Sequence, residues 1–89
     1  MKEIMNLINE WDPVKLFPMA PKDEYIYEVK KIESCLNNDN TLDTKKFAKM
    51  INDIFRESFG NDVYNENMND CVTIAQKILD VHKNSKMQT

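Results

Sequence analysis

The sequence is poor in the residue types on which most catalytic and ligand-binding motifs depend. Its 89 residues include one glycine, one histidine and two cysteines. A single glycine excludes the glycine-rich loop that cradles phosphates. Cys35 and Cys71 lie 36 residues apart, so together with His82 they lack the paired spacing of a zinc site. We therefore expect a protein that is not an enzyme, with no catalytic residues, no metal and no cofactor.

Positive charge and long apolar runs are scarce as well. The 12 Lys and Arg residues are outnumbered by 15 Asp and Glu residues, for a net charge of −3. Nucleic-acid binding usually needs a basic face, and the cluster of Lys45, Lys46 and Lys49 is typical of a solvated helix face. No apolar run is long enough to span a bilayer, and the N-terminus lacks the apolar region of a signal peptide. We expect a cytoplasmic protein that binds neither nucleic acid nor membranes.

The cysteines and the histidine fall on apolar helical positions. Cys35 and Cys71 are therefore predicted to be reduced, buried and small hydrophobic residues rather than a disulfide. His82 lies near the end of the last predicted helix, where a cation is favourable. Because Cys71 and His82 are about 16 Å apart along one helix, they do not form a catalytic pair.

Apolar residues recur at helical spacing in four segments, and no segment alternates with a period of two. The first predicted helix covers residues 2–11, and Asp12-Pro13 stops it because the residue before a proline avoids the helical region. The second starts near Pro21 and is followed by the turn-forming residues 37–40.

The third and fourth predicted helices have clear boundary signals. The third runs from Asp43 or Thr44 to Phe59, with Asp43 as N-cap and Gly60 as the left-handed residue after its end. The fourth is capped by Asn65 or Asn67, and its predicted apolar face consists of Met68, Cys71, Val72, Ala75, Ile78, Leu79 and His82. Residues 84–89 have no pattern, and we expect this tail to fray. The fold predicted is all-α, a compact four-helix array in one domain covering residues 1–89.

Residues 11–25, between helices 1 and 2, contain all three prolines and the only tryptophan. Proline fixes φ and donates no hydrogen bond, so this linker is predicted to be stiff, extended and non-helical. In one interpretation its large apolar residues, namely Trp11, Leu16, Phe17, Met19 and Tyr25, pack across the helices as a lid. In the other, the residues Leu16, Phe17, Pro18 and Met19 form an exposed interaction ridge, which proline pre-organises for binding.

The same segment resembles a known family. The matching residues are Trp11-Asp12-Pro13, Pro18, Ala20-Pro21, Asp23-Glu24-Tyr25 and Glu28. They resemble the signature of the YugE-like family of small bacterial helical proteins, a domain of unknown function. The resemblance covers nearly the whole chain and implies a four-helix fold and a cytoplasmic bacterial protein, without an activity. The motif is also similar to that of small proteins suspected of acting as immunity partners of toxins.

The two halves of this motif flank the linker, so they are placed to meet in space. The structural motif predicted comprises Trp11, Asp12, Pro13, Pro21, Asp23, Glu24 and Tyr25. A carboxylate from Asp12, Asp23 or Glu24 is expected to accept a hydrogen bond from the Trp11 indole, the Tyr25 hydroxyl or free N–H groups of helix 2. Such a bond would hold the linker against the helices.

Three classes of function are compatible with these features. The first is a non-enzymatic protein-interaction module with an unknown protein partner. An immunity or inhibitor-type partner of a toxin is one version, because acidic helix 2 and the acidic stretch 62–70 suit a basic partner. The second is a small enzyme subunit that uses the carboxylates Asp23, Glu24 and Glu28. The third is a homodimer that buries its own apolar ridge.

Overall fold

The described residues of the computed structural model form four α-helices and no strand. These residues are 2–15, 19, 24–38, 42–60, 62–64 and 66–87, with side chains up to residue 83. The helices are α1 (Lys2–Trp11), α2 (Ile26–Asn38), α3 (Thr44–Phe59) and α4 (Met68–Met87). The predicted all-α, four-helix fold is confirmed. Of the linker, Leu16, Phe17, Pro18, Pro21 and Asp23 lie outside the described residues.

The end of α1 has the boundary that its sequence predicts. Ile4 and Ile8 are buried, while Leu7 and Trp11 pack half-buried against the core. The helix ends at Trp11, and Asp12 adopts a left-handed φ of 47° while its N–H donates to the Ile8 carbonyl. A second hydrogen bond, from Lys15 N to the Asp12 carbonyl, closes a turn over residues 12–15. This part of the linker is therefore a tight turn, and the prediction of an extended segment is wrong here.

The predicted start of α2 is wrong by about five residues. The helix begins at Ile26, and its first described hydrogen bond joins Val29 N to the Tyr25 carbonyl. Glu24 and Tyr25 lie in a turn before it, so the acidic residue of the first helical turn is Glu28. The tertiary contacts of Tyr25 decide this boundary, since its side chain is fully buried and its hydroxyl is bonded outside the helix.

The boundaries of α3 agree with the sequence. Asp43 has extended backbone angles, and its side chain accepts a hydrogen bond from Lys46 N at 2.7 Å. At the other end Gly60 has φ 76° and ψ 166°, and its N–H donates to the Arg56 carbonyl. The Gly60 carbonyl accepts in turn from Tyr64 N at 2.9 Å, so the helix end also positions the loop that follows.

The predicted buried face of α4 needs one correction. Asn67 is the N-cap, because its side chain accepts from Asp70 N, and the helix continues to Met87. Cys71, Ala75, Ile78 and Leu79 are buried as predicted, and Ile74 is buried with them. Met68 and Val72, which were predicted to be buried, are 44% and 37% exposed. The buried face is rotated toward Ile74 because α1 packs on that side of α4.

The four helices pack in the order of the chain, so that each contacts two neighbours. α1 lies against α2 and α4, and α3 lies against the same two helices. Along α3 the partners on the α4 side run backwards in the sequence: Thr44 bonds Gln76, Asn52 contacts Cys71, and Arg56 bonds Glu66. α3 and α4 are therefore antiparallel. The radius of gyration is 12.6 Å, close to the roughly 12 Å expected for a folded chain of this length.

Candidate functional site

The structure contains one of the hydrogen bonds that the sequence predicts between the two halves of the motif. The Tyr25 hydroxyl donates to Asp12 Oδ1 at 2.6 Å and accepts from Val14 N at 3.4 Å. Tyr25 is fully buried, and the Asp12 side chain lies at the edge of the core. Because these bonds join residues 11 to 13 positions apart, they tie the end of α1 to the start of α2.

An aromatic cluster extends this connection to α3. The Phe55 ring is packed against Trp11 edge-on at 5.3 Å between ring centroids, and against Tyr25 at 5.8 Å. It also stacks on Phe59 and Tyr64 at about 6 Å. Such pairs contribute about 0.5–1.5 kcal/mol each beyond the area they bury. Trp11 is thus fixed in position at the edge of the core, with part of its surface facing outward.

That outward part of Trp11 borders a groove between α1 and α4, which is the candidate functional site. Its apolar side chains are Leu7 and Trp11, four residues apart on α1, and the buried Ile74 on α4. Its polar side chains are all exposed, namely Glu10 on α1 and Asp70, Thr73 and Lys77 on α4. The groove has a volume of about 150 Å³.

The size of the groove limits what it can hold. Pockets for cofactors and small-molecule substrates typically measure about 300–1,000 Å³. An enclosed apolar cavity of about 150 Å³ holds one benzene molecule, whereas this groove is open on one side and four of its seven side chains are polar. The α1–α4 groove therefore matches one side chain of a partner better than a whole metabolite.

A second polar centre lies in the core and is structural. The Tyr64 hydroxyl donates to Asn52 Oδ1 at 2.8 Å, and Cys71 Sγ lies 3.3 Å from that hydroxyl. Burial raises the pKa of the Cys71 thiol and of the Tyr64 hydroxyl, so neither group becomes a nucleophile readily. The three side chains are hydrogen-bonded to one another and join α3, the loop after it, and α4.

Glu28 is a buried carboxylate at the start of α2. Burial raises the pKa of its side chain, while a hydrogen bond from Ser58 and the charge of Lys31 oppose that rise. Its Oε1 has no hydrogen-bond partner among the described residues. Glu28 was predicted as one of three carboxylates of a possible enzyme. Of the other two, Glu24 is exposed, and Asp23 lies outside the described residues.

The remaining residues predicted from the sequence have diverse surroundings. Met19 is 93% exposed, so its predicted packing in a lid is wrong, whereas Leu16, Phe17 and Pro18 of the same ridge lie outside the described residues. Pro13 is half-buried in the turn after α1. Cys35 and Cys71 are free thiols, and Lys45, Lys46 and Lys49 are all exposed.

The groove was not predicted from the sequence, although a signal for half of it is present. Asp70, Thr73, Ile74 and Lys77 follow one another at spacings of three, one and three residues, which places them on one face of a helix. Ile74 is the only apolar residue of this set, so the pattern indicates a solvated face. Ile74 lines a groove only because α1 packs beside α4 and places Leu7 and Trp11 next to it.

Two classes of site have no candidate in the part of the chain that the structure describes. No group of three or more His, Cys, Asp or Glu side chains is placed to hold a metal ion there. Within the same residues, no helix combines the length and the apolar character that a membrane span requires.

Comparison with known proteins identifies a family to which no function is assigned. One family model matches residues 3–88, and that family is described as a domain of unknown function, DUF1871. The match covers all four helices apart from the first residue of α1. Neither the curated proteins nor the solved structures include a match to the chain.

Proposed function

Because the chain belongs to the DUF1871 family, which supplies no activity to transfer, we propose its function from the groove: the protein is a non-enzymatic interaction module. In this proposal the α1–α4 groove receives part of a partner protein. The proposal retains the expectation of a cytoplasmic bacterial protein, and it retains the resemblance of Trp11-Asp12-Pro13 and Asp23-Glu24-Tyr25 to the YugE-like proteins.

The observation that carries the proposal is the half-buried tryptophan beside a small groove with exposed polar edges. Trp11 is held edge-on against Phe55, so its outward surface is presented by a rigid support. Tryptophan residues in such positions dominate the binding energy of many protein interfaces, and polar groups around them exclude water. A pre-formed site of this kind loses little conformational entropy on binding.

The buried positions of the chemically reactive side chains support the same proposal. Cys71 and Tyr64 are bonded to each other and to Asn52 inside the core. Glu28 is buried against α3 through Ser58. These contacts give each group a role in stability, and the enzyme hypothesis based on Asp23, Glu24 and Glu28 gains no specific support.

The test is capture of the partner with a blocked groove. We would purify the tagged protein from its native host and identify bound proteins by mass spectrometry. Thr73→Arg places a long side chain over the groove, and Val72→Arg makes the same change at the neighbouring exposed position outside it. The proposal expects a stoichiometric partner that is lost with Thr73→Arg and retained with Val72→Arg.

Two results would overturn this proposal. A partner that binds the Thr73→Arg variant as well as the natural chain would remove the groove from the interface. A co-purifying metabolite without any protein partner would favour the enzyme class instead. An immunity-type role would appear as a partner that is a toxin, and a homodimer as a second copy of the chain.

A further inference from the structure

We propose that the groove receives an aromatic side chain that is flanked by basic residues in a segment of the partner protein. This inference rests on the proposed function and adds the chemistry of the partner to it. It has two parts, one from the size and lining of the groove and one from the charges at its edge.

The aromatic side chain follows from the size and lining of the groove. Its volume of about 150 Å³ matches one benzene-sized ring. The surface offered to that ring includes the outward side of Trp11, with Leu7 and Ile74 beside it. Aromatic pairs prefer edge-to-face or offset contacts, and the Trp11 indole is already edge-on to Phe55 from within. An aromatic ring of the partner in the groove would make a second contact of this kind with Trp11, on the side of the indole that faces away from Phe55.

The basic residues follow from the charges at the edge. Glu10 and Asp70 are exposed on the two helices that form the groove, and neither is in an ion pair among the described residues. The remaining charged residue, Lys77, is seven residues from Asp70, about 10 Å along the helix axis. Two carboxylates against one ammonium group leave the edge with a net charge of −1. A lysine or arginine beside the aromatic ring is the complementary group.

The experiment uses capped tripeptides as probes and Trp11 as the reporter. Trp11 is the only tryptophan of the chain and lines the groove, so in the folded protein its fluorescence and its indole N–H resonance respond to a bound probe without interference from another tryptophan. We would titrate the full chain with acetyl-Lys-Phe-Lys-amide, acetyl-Lys-Ala-Lys-amide and acetyl-Glu-Phe-Glu-amide. The inference expects a saturable shift with the first probe, none with the alanine probe, and several-fold weaker binding of the acidic probe.

Charge variants separate the two parts of the inference. Glu10→Gln combined with Asp70→Asn changes exposed side chains only, and it is expected to weaken binding of the Lys-Phe-Lys probe several-fold. Glu57→Gln, an exposed change on α3 and away from the groove, is the matched control and leaves that binding unchanged. Added salt weakens binding to the natural chain and has little effect on the double variant.

The outcomes distinguish this inference from the proposed function. If the Lys-Phe-Lys and Glu-Phe-Glu probes bind equally, or if neither shifts Trp11, the inference is overturned. The function still stands in that case, provided that Thr73→Arg blocks capture of a protein partner. If the chain dimerises in sedimentation experiments and Thr73→Arg abolishes the dimer, a second copy occupies the groove, which also overturns the inference.

Discussion

At the scale of single residues, two buried tyrosines connect the helices through hydrogen bonds of their hydroxyl groups. Tyr25 reaches Asp12 and Val14 at the end of α1, and Tyr64 reaches Asn52 and Cys71 between α3 and α4. The ring of each tyrosine packs on Phe55, and its hydroxyl group donates a hydrogen bond to another side chain. A buried hydroxyl without a partner costs free energy, so both tyrosines fix specific neighbours.

Removing the Tyr25 hydroxyl is expected to destabilise the fold without disturbing the core. Tyr25→Phe keeps the ring on Phe55 and deletes the bond to Asp12, which should lower the free energy of unfolding by about 1–3 kcal/mol. Urea denaturation followed by circular dichroism measures this loss. Tyr27→Phe is the control, because Tyr27 lies two residues later, in the first turn of α2, is 71% exposed and should change stability by less than about 0.5 kcal/mol. Equal effects of the two changes would contradict the role of this bond.

Glu28 should make stability depend on pH. Because burial raises its pKa in the folded state, the folded chain holds the proton more tightly than the unfolded chain does. The stabilisation from this group is then complete below the pKa of an exposed glutamate, about 4.3, and is lost as the pH rises through the higher pKa of the folded state.

Glu28→Gln tests this effect. The variant should be more stable than the natural chain at pH 7, and the difference should shrink as the pH falls toward 4. Urea denaturation at a series of pH values measures it, with the exposed Glu57→Gln as control. A stability difference that does not vary with pH would contradict the assignment.

At the scale of elements, backbone conformation at the helix ends sets where each helix stops. α1 ends in a left-handed aspartate before proline, and α3 ends at Gly60. The Gly60 angles, φ 76° and ψ 166°, belong to a region that is essentially restricted to glycine. This end also directs the chain toward Tyr64, whose N–H bonds the Gly60 carbonyl.

Substitution of Gly60 isolates this backbone effect. A Cβ atom at Gly60 would have no atom within 4 Å, so Gly60→Ala introduces conformational strain without a steric clash. We expect a loss of about 1–3 kcal/mol in the free energy of unfolding. Thermal denaturation measures this loss, and Lys49→Ala on the exposed face of α3 is the control. If Gly60→Ala were neutral, the left-handed conformation would not be required for the fold.

At the scale of the whole molecule, Phe55 connects α3 to segments next to each of the other three helices, so we expect the four helices to unfold as one unit. Its ring contacts the end of α1, the residue before α2, the last residue of α3 and the loop before α4. α1 and α3 are not neighbours through their backbones, so Trp11 and Phe55 connect them through side chains. Loss of this ring removes the contacts of α3 with the end of α1, with the residue before α2 and with the loop before α4.

Phe55→Ala is accordingly expected to be the most damaging single change considered. Truncation of a buried phenylalanine costs about 3–5 kcal/mol, whereas a domain of this length has roughly 4–13 kcal/mol in total. Far-ultraviolet circular dichroism and Trp11 fluorescence should both report a strongly lowered melting temperature with coincident transitions. Phe59→Ala, at a half-buried ring, should cost less. Separate transitions for the two probes would contradict a single cooperative unit.

Much of the fold was accessible from the sequence because its signals are local. The start of α3 at Asp43, its end at Gly60 and the end of α1 before Pro13 follow from side chains and backbone preferences within a few residues. The start of α2 was misplaced because Pro21 and the acidic residues satisfy a local rule, while the position of Tyr25 depends on Asp12, thirteen residues away. Long-range contacts of this kind leave no periodic trace in the sequence.

The sequence by itself determined four helices and most of their ends, the start of α2 and the end of α4 at Met87 being the exceptions, as well as the pairing of Asp12 with Tyr25 as one of several possible bonds. Only the tertiary structure decided that α4 turns Ile74 inward and Met68 outward, and that Leu7, Trp11 and Ile74 line one groove. The physical reason is that periodicity records how apolar side chains are arranged around one helix. Which of them are covered, and which charged residues surround the part left open, depends on where the neighbouring helices pack.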